Sequence, residues 1–427
     1  MSLLCGGVKM GIWTIHGGKP LQGTAYIQGA KNAVLPILTA TMVRGCVTEL
    51  EGVPRLRDVE NTLKILEHLG CRVTWNDHRV TVDSRTAVLT RAPDGLMTQM
   101  RSSVLFLGSL LARFGESEVS MPGGCMLGPR PVNLHLSALE TLGGRMTVTD
   151  DAIHCRAERL RGGEIHFPTP SVGATENAML AACGAEEPVK LIGAAREPEI
   201  VDLQNFLRAM GVRISGAGTD MIYIDGMESV PEHVRYRIMP DRIAAATVLC
   251  AGAGCGGDVT VTPVIPEHLQ TITDALEKMG CIVESGGDWL RLRSTGRLHS
   301  PGIIETQPYP GFPTDAQPLL LAACLKAAGT TEFRETIFSG RLRHTRELMK
   351  LGGDISVQDG VARVTGVKTL RGTAVQAMDL RGGAALLVAG LMAEGETVVI
   401  DRQHISRGYE NFDGCLRGLG AEITVTD

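Results

Sequence analysis

The sequence predicts an α/β protein of two similar inside-out domains, each made of three βαβαββ-like units, six repeats in all. Three observations lead there: a glycine-ended phrase that returns six times, six apolar helices rich in small residues, and an alternating strand after most helices. The phrase reads TLKILEHLGCRVTW, HLSALETLGGRMTV, DLQNFLRAMGVRIS, TITDALEKMGCIVE, HTRELMKLGGDISV and NFDGCLRGLGAEITV. Its glycines are Gly70, Gly143, Gly211, Gly280, Gly352 and Gly420, separated by 73, 68, 69, 72 and 68 residues. A near-constant period of this length marks repeated supersecondary units.

Within each unit the phrase predicts an amphipathic helix stopped by glycine, which accepts the left-handed conformation after a C-cap. The residues that follow alternate, as Val73 and Trp75 do, and predict a strand. A second strand often follows a turn, as in HRVTVDS and DWLRLRS. The other half of each unit is apolar nearly all round: NAVLPILTATMV, SSVLFLGSLLARFG, TENAMLAACGA, RIAAATVLCAGA, DAQPLLLAACLKAAG and GGAALLVAGLMAEG. Helices of that kind are buried on most faces, so three per domain are expected inside, with sheets outside. Only 4% of the chain is aromatic, against 52 glycines, so the core is expected to hold small and aliphatic side chains.

At 427 residues the chain exceeds one core and predicts two or three domains. The third unit ends near Arg237–Asp241, and the first begins near Lys31. Met1–Ala30 is left over and is expected to complete the sixth unit, which runs out at Asp427. The expected domains are therefore 31–239, and 1–30 with 240–427. Two crossings, near Ala30 and Pro240, make a hinge there.

A net charge of −5 argues against a general nucleic-acid or membrane-surface binder. No apolar run is long enough to span a bilayer, and the first ten residues lack a cleavable signal pattern. Eleven cysteines are scattered without a CxxC pair, which fits reduced thiols in a cytoplasm and no zinc pattern.

Polar residues stand just before the apolar helices: Lys31-Asn32, Arg101, Ser171 to Thr175, Asp241-Arg242, Thr314-Asp315 and Asp379 to Arg381. Helix N-termini carry unpaired N–H groups and partial positive charge, and bind phosphate or carboxylate. Ser, Thr and Asp at such places also serve as ordinary caps. Lys31, Arg101 and Arg381 oppose the helix dipole, so a bound anion is expected to offset them. Six such ends are expected to converge on a cleft for multiply anionic ligands. The segment Pro122–Pro131, with three glycines and three prolines, predicts a loop. On it Cys125 stands five residues before Arg130, and nearby cations favour a thiolate. The alternative is a surface turn with an incidental cysteine.

Nine phrases along the chain carry a family resemblance: GAKNAVLPIL at 29–38, MRSSVLFLGSLLARFG at 100–115, PGGCMLGPRPVNLH at 122–135, SVGATENAML at 171–180, AAREPEIVDLQNFL at 194–207, PDRIAAATV at 240–248, FPTDAQ at 312–317, DLRGGAALLVAG at 379–390 and RGYENFD at 407–413. Over essentially its whole length the chain resembles the UDP-N-acetylglucosamine 1-carboxyvinyltransferases, a branch of the enolpyruvyl transferases. The resemblance implies the two-domain, six-unit fold. It implies transfer of the enolpyruvyl group of phosphoenolpyruvate to the 3-hydroxyl of UDP-N-acetylglucosamine, the first committed step of peptidoglycan synthesis. It implies no metal and no organic cofactor.

Carried over residue by residue, the resemblance makes Cys125 the loop thiol that protonates C3 or assists product release, and the target of the epoxide antibiotic fosfomycin. Asp315 becomes the base for the 3-hydroxyl. Lys31, Arg130 and Arg381 become clamps on phosphate and carboxylate. Asn32 and Arg101 contact the sugar nucleotide. Pro131, Val132, Asn133, Leu134, Thr169, Pro170, Ser171, Val172, Gly173 and Ile337 line the uridine-diphosphate pocket, and Arg341 closes over the site. Asn133 stands where many members have Asp, and Thr169 and Pro170 where some have Lys and Val. Ser339-Gly340 and Ser406 replace more polar residues. Two alternatives stand beside this reading: a shikimate-pathway enolpyruvyl transferase, and a catalytically silent UDP-sugar-binding paralogue.

Overall fold

A computed structural model of the chain describes residues 11–97, 102–121, 132–227 and 229–426. The chain forms two compact bodies, one from residues 11–28 with 240–426, the other from residues 29–121 with 132–239. Gly29 and Ala30 belong to the second body rather than to the N-terminal segment.

Six inner helices appear among the described residues: Lys31–Ala40, Phe106–Phe114, Val172–Ala182, Arg242–Cys255, Gln317–Cys324 and Leu380–Met392. They are buried almost throughout. In Leu380–Met392 every residue from Arg381 onward is buried, and each leucine so removed from water contributes about 1.5–3 kcal/mol. In the first body the last three inner helices pack against one another. In the second, Phe106–Phe114 packs on Val172–Ala182, while Lys31–Ala40 lies mainly against the outer helices Arg57–His68 and Pro198–Ala209. The three-helix centre is thus less even there than the repeat suggests. Both bodies are inside-out: helices fill the middle and sheets form the outside.

The repeated glycine follows each outer helix, and all six adopt positive φ, between 90° and 100°. An L side chain is strained there, so the period in the sequence is a period of chain reversals.

Five four-stranded sheets share one order. The strand after the inner helix takes a parallel neighbour on one side and an antiparallel hairpin on the other. In the four-stranded sheet of the sixth unit Gly11–His16 lies between Glu396–Asp401 and Glu422–Thr426, antiparallel to both, in the place the hairpin strand takes elsewhere. That strand completes the last unit, as the leftover N-terminal segment was expected to do. The second N-terminal strand, Gln22–Tyr26, behaves differently: it pairs parallel with Asp258–Thr262 in the fourth unit. The corresponding neighbour of Val47–Glu51 in the first unit is His233–Arg237, again parallel. The second unit has three strands and an isolated parallel bridge, Arg91 to Glu118, where a fourth would be.

Candidate functional site

In the first body the N-terminal ends of the inner helices gather charge. Asp379 caps Leu380–Met392: its Oδ1 accepts the N–H groups of Arg381 at 3.0 Å and Gly382 at 2.9 Å. This places Arg381 in the first turn, where a cation opposes the helix dipole. The guanidinium is nonetheless buried, and its Nη2 donates to Asp315 Oδ2 at 3.2 Å. It also lies 5.5 Å from the centre of the Tyr409 ring. Burial works against the Arg381 charge, but Asp315, Tyr409 and Asp241 outweigh it and raise its pKa, so the group stays charged. Its Nε and Nη1 hydrogens have no acceptor among the described residues. They are the donors an oxyanion would take.

Asp315 is clamped from two sides, since Arg341 Nη2 donates to its other oxygen at 2.7 Å. Arg341 is buried, and its guanidinium lies 5.2 Å from the Phe338 ring centre. Its backbone carbonyl accepts from His344 Nδ1 at 2.9 Å. Beneath Arg381, Tyr409 donates to Thr247 Oγ1 at 2.9 Å, because the threonine's own hydrogen goes to the Ile243 carbonyl at 2.8 Å. Asp241 caps its helix through the N–H groups of Ile243 and Ala244. Thr314 and Asp315 do not cap theirs: the helix opens at Gln317 after Ala316, and both lie in the turn before it. Their side chains are committed elsewhere, Thr314 to Glu335 and Asp315 to the two arginines. Ile337 is partly exposed in the turn that leads to Arg341.

In the second body Lys31 opens its helix and forms an ion pair with Asp58, Nζ to Oδ2 2.8 Å, both side chains largely buried. Asp58 sits in the first turn of Arg57–His68. Against the expectation from the helix dipole, Lys31 and Arg381 each already have a resident carboxylate, so a bound anion is not required to hold them in place. Asn32 is exposed beside Lys31.

Val132, Asn133 and Leu134 form the start of helix Asn133–Thr141, with Asn133 exposed. Ser171 caps Val172–Ala182 by accepting from Ala174 at 3.4 Å, and Thr169 and Pro170 are exposed just before it. Thr175 is inside that helix and accepts the Ala195 N–H instead of capping. His135 joins the two segments. Its ring lies so close to Gly173 that a Cβ there would stand 3.2 Å from Cε1. Asn177 fixes the imidazole at 3.1 Å and accepts from the Gly108 N–H at 2.8 Å. The predicted uridine residues of both segments therefore lie together in one body. Arg101, Cys125, Arg130 and Pro131 lie outside the described residues.

Sequence reasoning missed Asp58, Glu335, Asn177 and Tyr409 as parts of these clusters. The last two stand inside the quoted phrases SVGATENAML and RGYENFD; Asp58 and Glu335 stand in none. It also missed a buried acidic group: Glu176 has its pKa raised well above the ordinary range, by burial first and then by Glu199 and Glu197. Among the described residues no three His, Cys, Asp or Glu side chains are grouped to hold a metal ion.

A family profile described as EPSP synthase (3-phosphoshikimate 1-carboxyvinyltransferase) matches residues 15–416. The UDP-N-acetylglucosamine 1-carboxyvinyltransferase 2 of Caldanaerobacter subterraneus is 45% identical, over 97% of this chain and 99% of the relative. The UDP-N-acetylglucosamine 1-carboxyvinyltransferase of Pseudoalteromonas atlantica is 44% identical, over 96% of this chain and 98% of the relative. Among solved structures, the enolpyruvyl transferase NikO from Streptomyces tendae superposes with a TM-score of 0.89 at 26% identity, covering 98% of this chain and 99% of that one. EPSP synthase from Acinetobacter baumannii, at 20% identity and a TM-score of 0.74 over 98% of this chain and 100% of that one, shares the fold. With full-length identity of this order and an inside-out fold in both bodies, the chain belongs to the enolpyruvyl transferase family, in the branch of the UDP-N-acetylglucosamine 1-carboxyvinyltransferases.

Proposed function

We propose that this chain transfers the enolpyruvyl group of phosphoenolpyruvate to the 3-hydroxyl of UDP-N-acetylglucosamine, with release of phosphate, in the cytoplasm, as the first committed step of peptidoglycan synthesis. The observation that carries the reading is a carboxylate, Asp315, held between two buried arginines, one of which, Arg381, has two donor nitrogens, Nε and Nη1, with no acceptor among the described residues. Asp315 takes the proton of the sugar hydroxyl as its oxygen adds to C2 of phosphoenolpyruvate. Cys125 supplies a proton to C3. The resulting tetrahedral adduct loses phosphate and a C3 proton, which restores the double bond on the sugar. Charge passes to the departing phosphate, and fixed cations stabilise that change without reorganising. Lys31, Arg130 and Arg381 have this role; Asn32, Arg101, the segments 131–134 and 169–173, Ile337 and Arg341 hold the nucleotide sugar.

The test is phosphate release from phosphoenolpyruvate. Release that depends on UDP-N-acetylglucosamine supports the reading. Release with 3-phosphoshikimate instead would assign the chain to the other branch. Tight binding of the nucleotide sugar with no release would make it a silent binding protein.

A further inference from the structure

Thr314 is the link between Asp315 and a carboxylate that no part of the proposed chemistry uses. Its hydroxyl donates to Glu335, 3.0 Å from Oε1 and 3.1 Å from Oε2. With its hydrogen committed, the oxygen accepts from Arg341 Nε at 3.1 Å. The same guanidinium reaches Asp315 through Nη2. Glu335 Oε1 also accepts the backbone N–H groups of Ile337 and Phe338, both at 3.0 Å. One side chain thus ties the strand Thr330–Arg334, which ends beside it, to the turn before Arg341 and to the residue preceding Asp315. A threonine hydroxyl rotates freely unless its hydrogen has an acceptor. Arg341 is 1% exposed, so water cannot replace an acceptor lost from its Nε, and a buried donor without one is costly. The group is also balanced: Arg341 and Arg381 carry two positive charges against Asp315 and Glu335.

We propose that Glu335 is a positioning residue. Through Thr314 and Arg341 it fixes the orientation of the Asp315 carboxylate, and through the N–H groups of Ile337 and Phe338 it shapes the turn that meets the nucleotide sugar. The inference rests on the transfer reaction proposed above. The two branches of the Glu335 contacts separate in kinetics. Glu335→Ala breaks both branches, so kcat falls by about 10–100-fold, the scale of an ångström-size misplacement, and KM for UDP-N-acetylglucosamine rises. Thr314→Val breaks only the first, so kcat falls comparably while that KM stays near wild type. Adding Thr314→Val to Glu335→Ala lowers kcat no further. Glu335→Gln keeps an acceptor for the turn and recovers KM more than kcat. Thr314→Val removes no charge and leaves Arg341 held less firmly against Asp315, so the acid limb of the kcat profile moves to higher pH; in Glu335→Ala the loss of a neighbouring anion offsets that shift. A purely structural defect would not shift that limb.

A second measurement does not depend on activity. In the protein without substrate, hydrogen exchange at Arg341 Nε, assigned by loss of its signal in Arg341→Lys, should be slow. It should speed up at least tenfold in Glu335→Ala and in Thr314→Val. Unchanged exchange, or a Glu335→Ala enzyme with wild-type kcat, KM and pH profile, overturns the proposal. If the wild-type chain releases no phosphate, the functional reading fails by itself, and the exchange experiment still decides the position of Glu335.

Discussion

At the scale of single residues, burial sorts the thiols. The nine described cysteines are buried or half-buried. Even the two half-buried ones, Cys255 and Cys415, are pushed by burial to about 12 and about 11. Such thiols stay protonated at neutral pH and are poor nucleophiles. Two cysteines remain, Cys5 and Cys125, and only Cys125 stands in a phrase of the family resemblance, so fosfomycin, an epoxide with a phosphonate, is expected to add once, at Cys125. Intact-mass measurement and peptide mapping check this, and an adduct spread over several cysteines would defeat it. Asp315→Asn is expected to lower turnover by about 10²–10⁴-fold, the usual worth of a positioned base. It should leave nucleotide-sugar affinity within a few-fold in calorimetry, since an amide keeps the shape. Asp315 and Arg381 were legible because each stands in a phrase next to an apolar helix. Asp58 and Glu335 were not. Their partners, Lys31 and Thr314, are distant in the chain, and a carboxylate in a helix turn or after a strand has no pattern that names its partner.

At the scale of elements, close approach and buried charge set the tolerances. The helix containing Gly108 meets Val172–Ala182 so tightly that a Cβ at Gly108 would stand 2.4 Å from the Asn177 carbonyl oxygen. Gly108→Ala must push backbone apart, and is expected to cost about 1–3 kcal/mol in urea unfolding. Beside the second crossing, Asp202 accepts from the Tyr236 hydroxyl at 2.6 Å and from the Met239 N–H at 3.4 Å. Burial nevertheless lifts its carboxyl from 3.8 to about 6. The folded protein then holds this proton more tightly than the unfolded chain does. Stability from this group is full below about pH 4, is lost as pH rises through about 6, and is level above. Asp202→Asn removes the slope. Its amide oxygen accepts from Met239, its NH₂ donates to the Tyr236 oxygen, and the phenol keeps its bond to the Asp202 carbonyl. The variant is expected to match wild type near pH 4 and to be about 3 kcal/mol more stable at pH 7.5, since the shift is about two pKa units and each corresponds to about 1.4 kcal/mol. Denaturant midpoints across that range check it, and a constant offset at every pH would remove Asp202 as the cause.

At the scale of the molecule, the repeat was legible because a positive-φ glycine recurs where each outer helix reverses. The exchange of parallel strands was not: Gln22–Tyr26 precedes the first inner helix yet pairs in the fourth unit, and His233–Arg237 takes its place in the first. Hairpins announce themselves by a turn, whereas a parallel neighbour leaves no local mark. One consequence is that residues 11–28 are separated in sequence from the strands they pair with by the whole second body. Gly11–His16 enters between Glu396–Asp401 and Glu422–Thr426, with Ile12 opposite Thr426. Joining Asp427 directly to Gly11 would place a two-residue Asp-Gly loop between paired strands, a favoured hairpin turn. Opening the chain between Gln28 and Gly29 then makes each body continuous, 29–239 followed by 240–427 and 11–28. This circular permutant is expected to fold, and its first body to refold several-fold faster. A pairing that closed a loop of more than 400 residues becomes a hairpin, and long loops slow the formation of non-local contacts. Trp13 and Trp289 lie in that body and Trp75 in the other, so a Trp75→Phe background reports on it alone in stopped-flow fluorescence. A permutant that refolds no faster would show that Gly11–His16 docks after the rate-limiting step.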